Sequence, residues 1–308
     1  MDKFYDDQTD LTAAKILIYK EYLRSYLPKV LMQYGKCYIA DLFCGCGKNG
    51  LKDGSPLVLL QVANEILNDK VIKNKRPNAK IVIVFNDVDK SCCDNLKTYL
   101  DKEPKNSQIE IIGPLCEQFD SIKNRALYYF KDKKEPKFIF LDPFTYTSIG
   151  MKDIDAFMSL PTAEVLLFLP VFFSYRFVSC ADDYGKLKNF IEDFTDKGCV
   201  EYDDIYDFNN SISEKMKSTL KTQYVRAICL DGGARKNALF YITRHVSGMS
   251  LMNSIVWKYA EDGEKVKAIR SKEDCLFDIS QYSVFVKKFK ETLLEHLKKI
   301  ERLVTFSL

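Results

Sequence analysis

The sequence predicts a doubly wound α/β fold, in which a mostly parallel sheet carries helices on both faces. Between residues 36 and 170, short continuous apolar runs alternate with helical patterns. Such runs are typical of parallel strands that are buried on both sides. Two further apolar segments, at 224–230 and 238–243, are joined by the turn-rich residues 231–237. This pair predicts an antiparallel terminal hairpin added to the sheet.

The chain begins with a predicted N-terminal helix over residues 11–34, where apolar side chains recur at helical spacing. Thr9 or Asp10 would cap its start, and Gly35 would end it. Pro28 lies inside this stretch and would kink or split the helix.

The alternation that follows sets the order of the central elements. Strands are predicted at 37–43, 81–85, 109–112, 137–141 and 164–169. The helices expected between them cover 56–67, 91–100, 117–129 and 151–158. Further helices are predicted at 184–194 and 213–222, before the hairpin.

The last part of the chain, 246–308, is predicted to be a C-terminal helical appendage that ends in a basic amphipathic helix at 284–303. Together these elements predict three parts. They are an N-terminal helical segment at 1–35, a Rossmann-like domain at 36–245, and the appendage at 246–308.

The composition limits the kinds of partner. The 46 basic and 43 acidic residues give a net charge of only +3, which neither demands nor excludes a nucleic acid. The ten cysteines form no CxxC pair and there are two histidines, so we expect no metal site. There is no basic and apolar leader and no apolar run of about 20 residues. We therefore expect a cytoplasmic protein with reduced thiols and no membrane contact.

A glycine-rich loop follows the first predicted strand. It reads Asp41-Leu42-Phe43-Cys44-Gly45-Cys46-Gly47, and with Gly50 it has the spacing G-x-G-x-x-G. Glycines at a strand-to-helix junction let the backbone approach a ligand closely, although a plain glycine loop is the alternative. Cys44 and Cys46 are interpreted as small packing residues rather than metal or redox ligands.

Carboxylates close two of the later strands. Asp87 or Asp89, after the second strand, would accept both hydroxyls of a ribose, or else cap the helix that begins near Ser91. Asp142 follows the fourth strand and would face the same crevice as the glycine loop. Its carboxylate can accept a hydrogen bond from an amine and orient it for attack, whereas a buried capping role is the alternative.

The residues beside Asp142 suit a planar substrate. Pro143 would stiffen the loop, and Phe144 can stack on a base. The alternative is that both belong to the core.

Taken together, these motifs resemble class I S-adenosylmethionine-dependent methyltransferases, whose last strand is antiparallel. Within that group the chain resembles the three-Cys-motif partner proteins, called TcmP, over residues 10 to 250. The resemblance rests on Thr12-x-x-Lys15, Tyr22-Leu23, the Asp41-Leu-Phe loop, Gly54-Ser55-Pro56-Leu57 and Leu141-Asp142-Pro143-Phe144.

The resemblance implies S-adenosylmethionine as the cofactor. Its methionine end would be lined by Asp41, Phe43, Gly45 and Gly47, and Asp87 would hold its ribose. Glu117 or Asp120 would replace the acidic residue that often contacts adenine.

The catalytic element would be Asp142, Pro143 and Phe144. It resembles the D/N-P-P-Y/F/W motif of amino-methyltransferases that act on nucleic-acid bases, with Phe144 in place of the second proline.

The leading hypothesis is therefore a methyltransferase that acts on the amine of a nucleic-acid base. A protein with a three-Cys motif is the implied partner. One competing hypothesis is a non-catalytic nucleotide-binding module that supports a partner protein. Another is a nucleotide-processing enzyme that uses the same crevice.

Overall fold

A computed structural model describes residues 2–104, 106–222, 224–232, 235–260 and 265–267, with side chains between residues 11 and 266 of these ranges. Within these residues, eight strands form one sheet and two form a small separate hairpin. The strands are β1 (Lys36–Asp41), β2 (Lys48–Asn49), β3 (Lys52–Asp53), β4 (Lys80–Asn86), β5 (Ile109–Leu115), β6 (Lys137–Leu141), β7 (Ala163–Leu169), β8 (Tyr224–Asp231), β9 (Lys236–Thr243) and β10 (Lys265–Lys267).

The sheet is mixed but mostly parallel. Its strand order is β10-β8-β9-β7-β6-β1-β4-β5, and β9 runs antiparallel to both of its neighbours. After β1, the chain adds β4 and then β5 on one side of that strand, and it adds β6 on the other side. The predicted doubly wound fold, with its antiparallel terminal hairpin, is confirmed.

The helices of the described residues lie on both faces of the sheet. They are α1 (Asp2–Tyr34), α2 (Ser55–Asn68), α3 (Lys70–Lys75), α4 (Lys90–Leu100), α5 (Phe119–Phe130), α6 (Met151–Met158), α7 (Val171–Arg176), α8 (Gly185–Phe194), α9 (Ile205–Leu220) and α10 (Val246–Tyr259). Short 3-10 helices span Tyr146–Ser148 and Val178–Asp183.

Alternation along the buried strands divides the core into two layers. In β1, Cys37 and Ile39 pack toward α1, α2, α4 and α10. Tyr38 and Ala40 pack toward α5, α6, α8 and α9 on the other face. Successive side chains of a strand point to opposite faces, so a continuous apolar run supplies both layers.

The long helix α1 is fixed to the sheet by aromatic side chains. The ring centroids of Tyr19 and Phe140 are 4.5 Å apart, and those of Tyr22 and Phe138 are 5.3 Å apart. The hydroxyl of Tyr22 donates a hydrogen bond of 2.6 Å to the buried carboxylate of Glu164. These contacts hold α1 across the centre of the sheet.

Several boundaries differ from the predictions. The first helix begins at Asp2 and continues through Thr9, Asp10 and Pro28, so the predicted cap at residue 9 or 10 was wrong. It ends as predicted at Gly35, which has a φ of 72°.

Helix α9 begins at Ile205, eight residues before the predicted start. The Asp204 carboxylate caps it there by accepting from the amides of Tyr206 and Asp207. These capping hydrogen bonds determine where α9 begins, and the spacing of the apolar residues alone did not show that position.

The C-terminal part of the described chain packs on the main sheet. Helix α10 buries Met252, Ile255 and Val256, and β10 pairs in parallel with β8. The basic amphipathic helix predicted at 284–303 lies outside the described residues, and the three-part division stays a prediction. None of the helices in the described portion is long and apolar enough to cross a membrane.

Candidate functional site

The carboxyl ends of β1, β4 and β6 meet at one edge of the sheet. Asp41, the last residue of β1, lies opposite Phe85 of β4 and Phe140 of β6. The strand order reverses between β1 and β6, and such a switch point opens a crevice at the carboxyl ends of the strands. The segments that follow the three strands therefore share one crevice.

The glycine loop is held in this crevice by hydrogen bonds to β4 and to the residue that follows it. The amide of Cys44 donates to the carbonyl of Asn86 over 2.9 Å, and the amide of Gly45 donates to Oδ2 of Asp87 over 2.8 Å. Gly45 and Gly47 have φ values of 64° and 86°, which favour glycine. The loop thus follows a path that side-chain-bearing residues would resist.

A small hairpin separates the loop from α2. Strands β2 and β3 pair across 48–53, and the amide of Gly54 donates to the carbonyl of Gly47 over 2.7 Å. The sequence predicted that the next helix begins at residue 56, but it did not predict the hairpin before that helix. Leu51, at the tip of the hairpin, is fully exposed.

The two candidate ribose acceptors have different surroundings. Asp87 is half-buried and accepts from the amides of Gly45 and Asp89, one on each oxygen. Each carboxylate oxygen has a second lone pair, so Asp87 retains acceptor capacity. Asp89 is exposed and caps α4 by accepting from the amides of Ser91 and Cys92. The capping alternative therefore describes Asp89, and Asp87 is the one that reaches the loop.

Asn86 was not singled out by the sequence interpretation. Its buried amide group donates to the carbonyls of Leu42 and Glu117 and accepts from the amide of Glu117. This side chain joins the glycine loop to the segment after β5. The sequence signal that could have identified Asn86 is a polar residue at the end of a continuous apolar strand.

Glu117 lies beside this junction. Its carboxylate pairs with Arg125 and accepts a hydrogen bond of 2.8 Å from the hydroxyl of Ser121. Next to it, the rings of Phe43 and Phe119 stack with centroids 5.0 Å apart. Asp120, the other residue suggested for adenine, pairs with Lys123 and is exposed.

The centre of the site holds two carboxylates and an ammonium group. Asp142, at the end of β6, accepts from Nζ of Lys15 over 2.5 Å. Asp41 is fully buried, and within the described part of the chain neither of its oxygens makes a hydrogen bond of normal geometry. Burial raises the pKa of Asp41 to about 7; the nearby Ser55 hydroxyl opposes this rise, and the charge of Asp142 adds to it. Lys15 was part of the family resemblance but was not predicted as a site residue.

The residues after Asp142 differ in exposure. Pro143 is buried, whereas the Phe144 side chain is 96% exposed. Beyond them, Tyr146 stacks on Phe173 of α7 with an interplanar angle of 14°. The outer part of the crevice therefore presents aromatic faces to solvent.

A disulfide links the glycine loop to α4. It joins Cys46 to Cys92, and the expectation that all thiols are reduced was wrong for this pair. The loop lies close to α4, where a Cβ added at Gly47 would meet Leu96, and Cys46 meets Cys92 in the first turn of that helix. Cys44 is a buried free thiol, as its predicted packing role requires, whereas the packing role predicted for Cys46 was wrong because its sulfur is in the disulfide. Over the residues with assigned positions, no cluster of three or more metal-ligating side chains occurs.

Comparison with known proteins gives only distant similarities. No family model matches the sequence, and no curated protein matches it. Similar solved structures include the methyltransferase PaMTH1 of Podospora anserina with bound S-adenosylhomocysteine, at 8% identity and a TM-score of 0.33, over 72% of this chain and 78% of that one. A Staphylococcus aureus protein assigned provisionally as a caffeoyl-CoA O-methyltransferase has 12% identity and a TM-score of 0.33, over 71% and 81%.

A third similar structure is the PH0226 protein of Pyrococcus horikoshii OT3. It has 12% identity and a TM-score of 0.29, over 71% of this chain and 88% of that one. These values are too low to define an activity, and the fold assignment rests on the strand order itself.

Proposed function

We propose that this protein is an S-adenosylmethionine-dependent methyltransferase whose acceptor is an amino group of a nucleic-acid base. One observation carries the proposal. Asp41 ends β1, and Asp87 and Asp142 directly follow the neighbouring strands β4 and β6, so all three lie with the glycine loop at the switch point of the sheet.

The residues present fit this cofactor. A fully buried carboxylate whose oxygens make no hydrogen bond of normal geometry, such as that of Asp41, is suited to a cationic α-amino group. Around the position of a Gly45 side chain there is open space, so the loop backbone is accessible to a ligand. Asp87 keeps acceptor capacity for ribose hydroxyls. In this proposal Asp41, Phe43, Gly45 and Gly47 line the methionine end, Asp87 holds the ribose, and Glu117 lies on the adenine side.

When bound, the cofactor supplies an electrophilic methyl group. Asp142 accepts a hydrogen bond from the acceptor amine, which orients the nitrogen lone pair toward the reacting carbon. The protein contributes mainly by holding the two reactants at the right distance and angle. Pro143, buried behind Asp142, restricts the backbone that carries this carboxylate.

The exposed aromatic rings support a planar acceptor. Phe144 is almost entirely exposed and directly follows the Asp142-Pro143 pair. A solvent-exposed ring beside a reactive carboxylate provides a stacking surface for a base. The stacked rings of Tyr146 and Phe173 extend this surface.

The resemblance to the three-Cys-motif partner proteins supports one more part of the proposal. We infer that the protein works together with a second protein that carries the three-Cys motif. Co-purification of the two proteins expressed together tests this inference, because a stable partner would elute with the chain.

The decisive experiment measures cofactor binding first and methyl transfer second. Calorimetry with S-adenosylhomocysteine should show saturable binding, and absence of binding at millimolar ligand would exclude the proposal. Transfer of labelled methyl groups to short RNA and DNA should then be abolished by Asp142→Ala without weaker cofactor binding. Asp155→Ala, at an exposed carboxylate of α6, is the matched control and should leave transfer unchanged. Binding without transfer to either nucleic acid would favour the non-catalytic module.

A further inference from the structure

Lys15 is a buried cation that reaches the candidate site from α1. It is 8% exposed, its Nζ lies 2.5 Å from Oδ2 of Asp142, and the same ammonium lies 4.4 Å from the ring centroid of Phe168. The neighbouring Tyr19 is packed against Phe140, which fixes this part of the helix. Lys15 is therefore held in place and is not a mobile surface lysine.

The charges around Lys15 are not fully paired. Asp142 has the ammonium as its partner, whereas the nearby Asp41 has none of normal geometry among the described residues. A buried charge is stable only when an opposite charge or hydrogen bonds compensate it. A ligand that carries both an ammonium and a carboxylate group would give Asp41 a cationic partner and Lys15 an anionic partner. The amino-acid end of the proposed cofactor carries those two groups.

We propose that Lys15 is a positioning residue that binds the α-carboxylate of the cofactor and thereby releases Asp142 from its ion pair. This inference rests on the proposed function. While Lys15 donates to Asp142, one oxygen of that carboxylate is already hydrogen-bonded to a cation. It is therefore a weak hydrogen-bond acceptor for the amine of the substrate. Once the ammonium has a second anion as its partner, Asp142 becomes available. The cofactor therefore binds before the acceptor.

The first test measures affinity for two ligands that differ by one group. S-Adenosylhomocysteine carries the α-carboxylate, and its decarboxylated analogue keeps the amine but lacks the carboxylate. Lys15→Met should weaken the first ligand by about tenfold or more, because a charge-assisted hydrogen bond is lost. The affinity for the second ligand should be unchanged. Lys29→Met removes an exposed lysine of the same helix and should alter neither value.

The second test uses Asp142→Asn, which keeps Lys15 in place. Removing the competing carboxylate should tighten binding of S-adenosylhomocysteine several-fold. The gain should vanish in the double variant with Lys15→Met, because the two residues act through the same contact. This arm also keeps the proposal testable if Lys15→Met does not fold.

The outcomes separate this inference from the proposed function. If the unmodified protein binds neither ligand, the proposed function fails, and the inference fails with it. If the unmodified protein binds S-adenosylhomocysteine but Lys15→Met weakens both ligands equally, or neither, Lys15 has only a structural role. An unchanged affinity in Asp142→Asn would refute the exchange of partners.

Discussion

The backbone amide of Gly45 donates a hydrogen bond of 2.8 Å to the carboxylate of Asp87. This contact fastens the glycine loop to the residue that follows the neighbouring strand. The same carboxylate is the proposed ribose acceptor, so one side chain both shapes the loop and would contact the ligand. The position of the loop and the affinity for a nucleoside should therefore change together.

Asp87→Ala should weaken binding of S-adenosylhomocysteine by about tenfold or more, because it removes the loop contact and the proposed ribose contact. Asp89→Ala is its matched control, two residues away. It removes only the cap of α4 and should lower the free energy of unfolding by about 1 kcal/mol without changing affinity. Calorimetry and urea unfolding measure the two effects. Equal affinity losses in both variants would show that Asp87 has no special role.

The buried carboxyl of Asp41 should make stability depend on pH. Burial raises its pKa from 3.8 to about 7, so the folded protein holds this proton more tightly than the unfolded chain does. The resulting stabilisation is complete below about pH 4 and is lost as the pH rises through 7, at about 1.4 kcal/mol per pH unit.

Asp41→Asn removes this titration. From pH 5 to pH 8, the unfolding free energy of the variant should rise by about 2 to 3 kcal/mol relative to the unmodified protein. Glu164, whose pKa is also raised by burial, is present in both proteins and cancels in the comparison. Urea unfolding at the two pH values measures the difference, and parallel pH profiles would contradict the prediction.

Close packing of the glycine loop on α4 predicts a cost for a side chain at Gly47. A Cβ there would lie 3.1 Å from side-chain atoms of Leu96 and Tyr99, at a φ of 86°. Gly50 has a φ of 62° and open space around it, so Gly50→Ala brings backbone strain alone. Gly47→Ala should lower the free energy of unfolding by about 1 to 3 kcal/mol more than Gly50→Ala. Similar values for the two variants would mean that the loop moves freely away from α4.

The disulfide between Cys46 and Cys92 should stabilise the protein under non-reducing conditions. The bond joins residues 46 positions apart, and restricting the unfolded chain over such a loop contributes up to about 4 kcal/mol. A phosphine reductant should lower the melting temperature of the unmodified protein but not that of Cys92→Ser. Cys180→Ser, at an exposed free thiol, should keep the full response. A melting temperature that the reductant leaves unchanged would argue against the bond.

The sequence predicted the central sheet well because its signals are local. Each buried strand is a continuous apolar run, and each helix between strands shows its own spacing. The positions of Asp41, Asp87 and Asp142 at strand ends followed directly, since parallel strands bring their carboxyl ends to one edge.

The contacts that complete the site were not predictable in this way. Lys15 and Asp142 are 127 residues apart, and helical spacing shows which face of α1 is buried but not what that face meets. The Cys46–Cys92 pairing has the same difficulty, because spacing alone does not determine which cysteines pair. Both contacts depend on how separate elements pack.

The attachment of α1 has a consequence for how the protein is made. Tyr22 contacts Glu164 and Tyr241, which follow it by 142 and 219 residues. A chain that emerges from the ribosome amino end first presents this helix long before its docking partners exist. The part of its buried face that docks on β7 and β9 stays exposed until those strands have been synthesised, and in this interval the nascent chain is most prone to aggregation and depends most on chaperones.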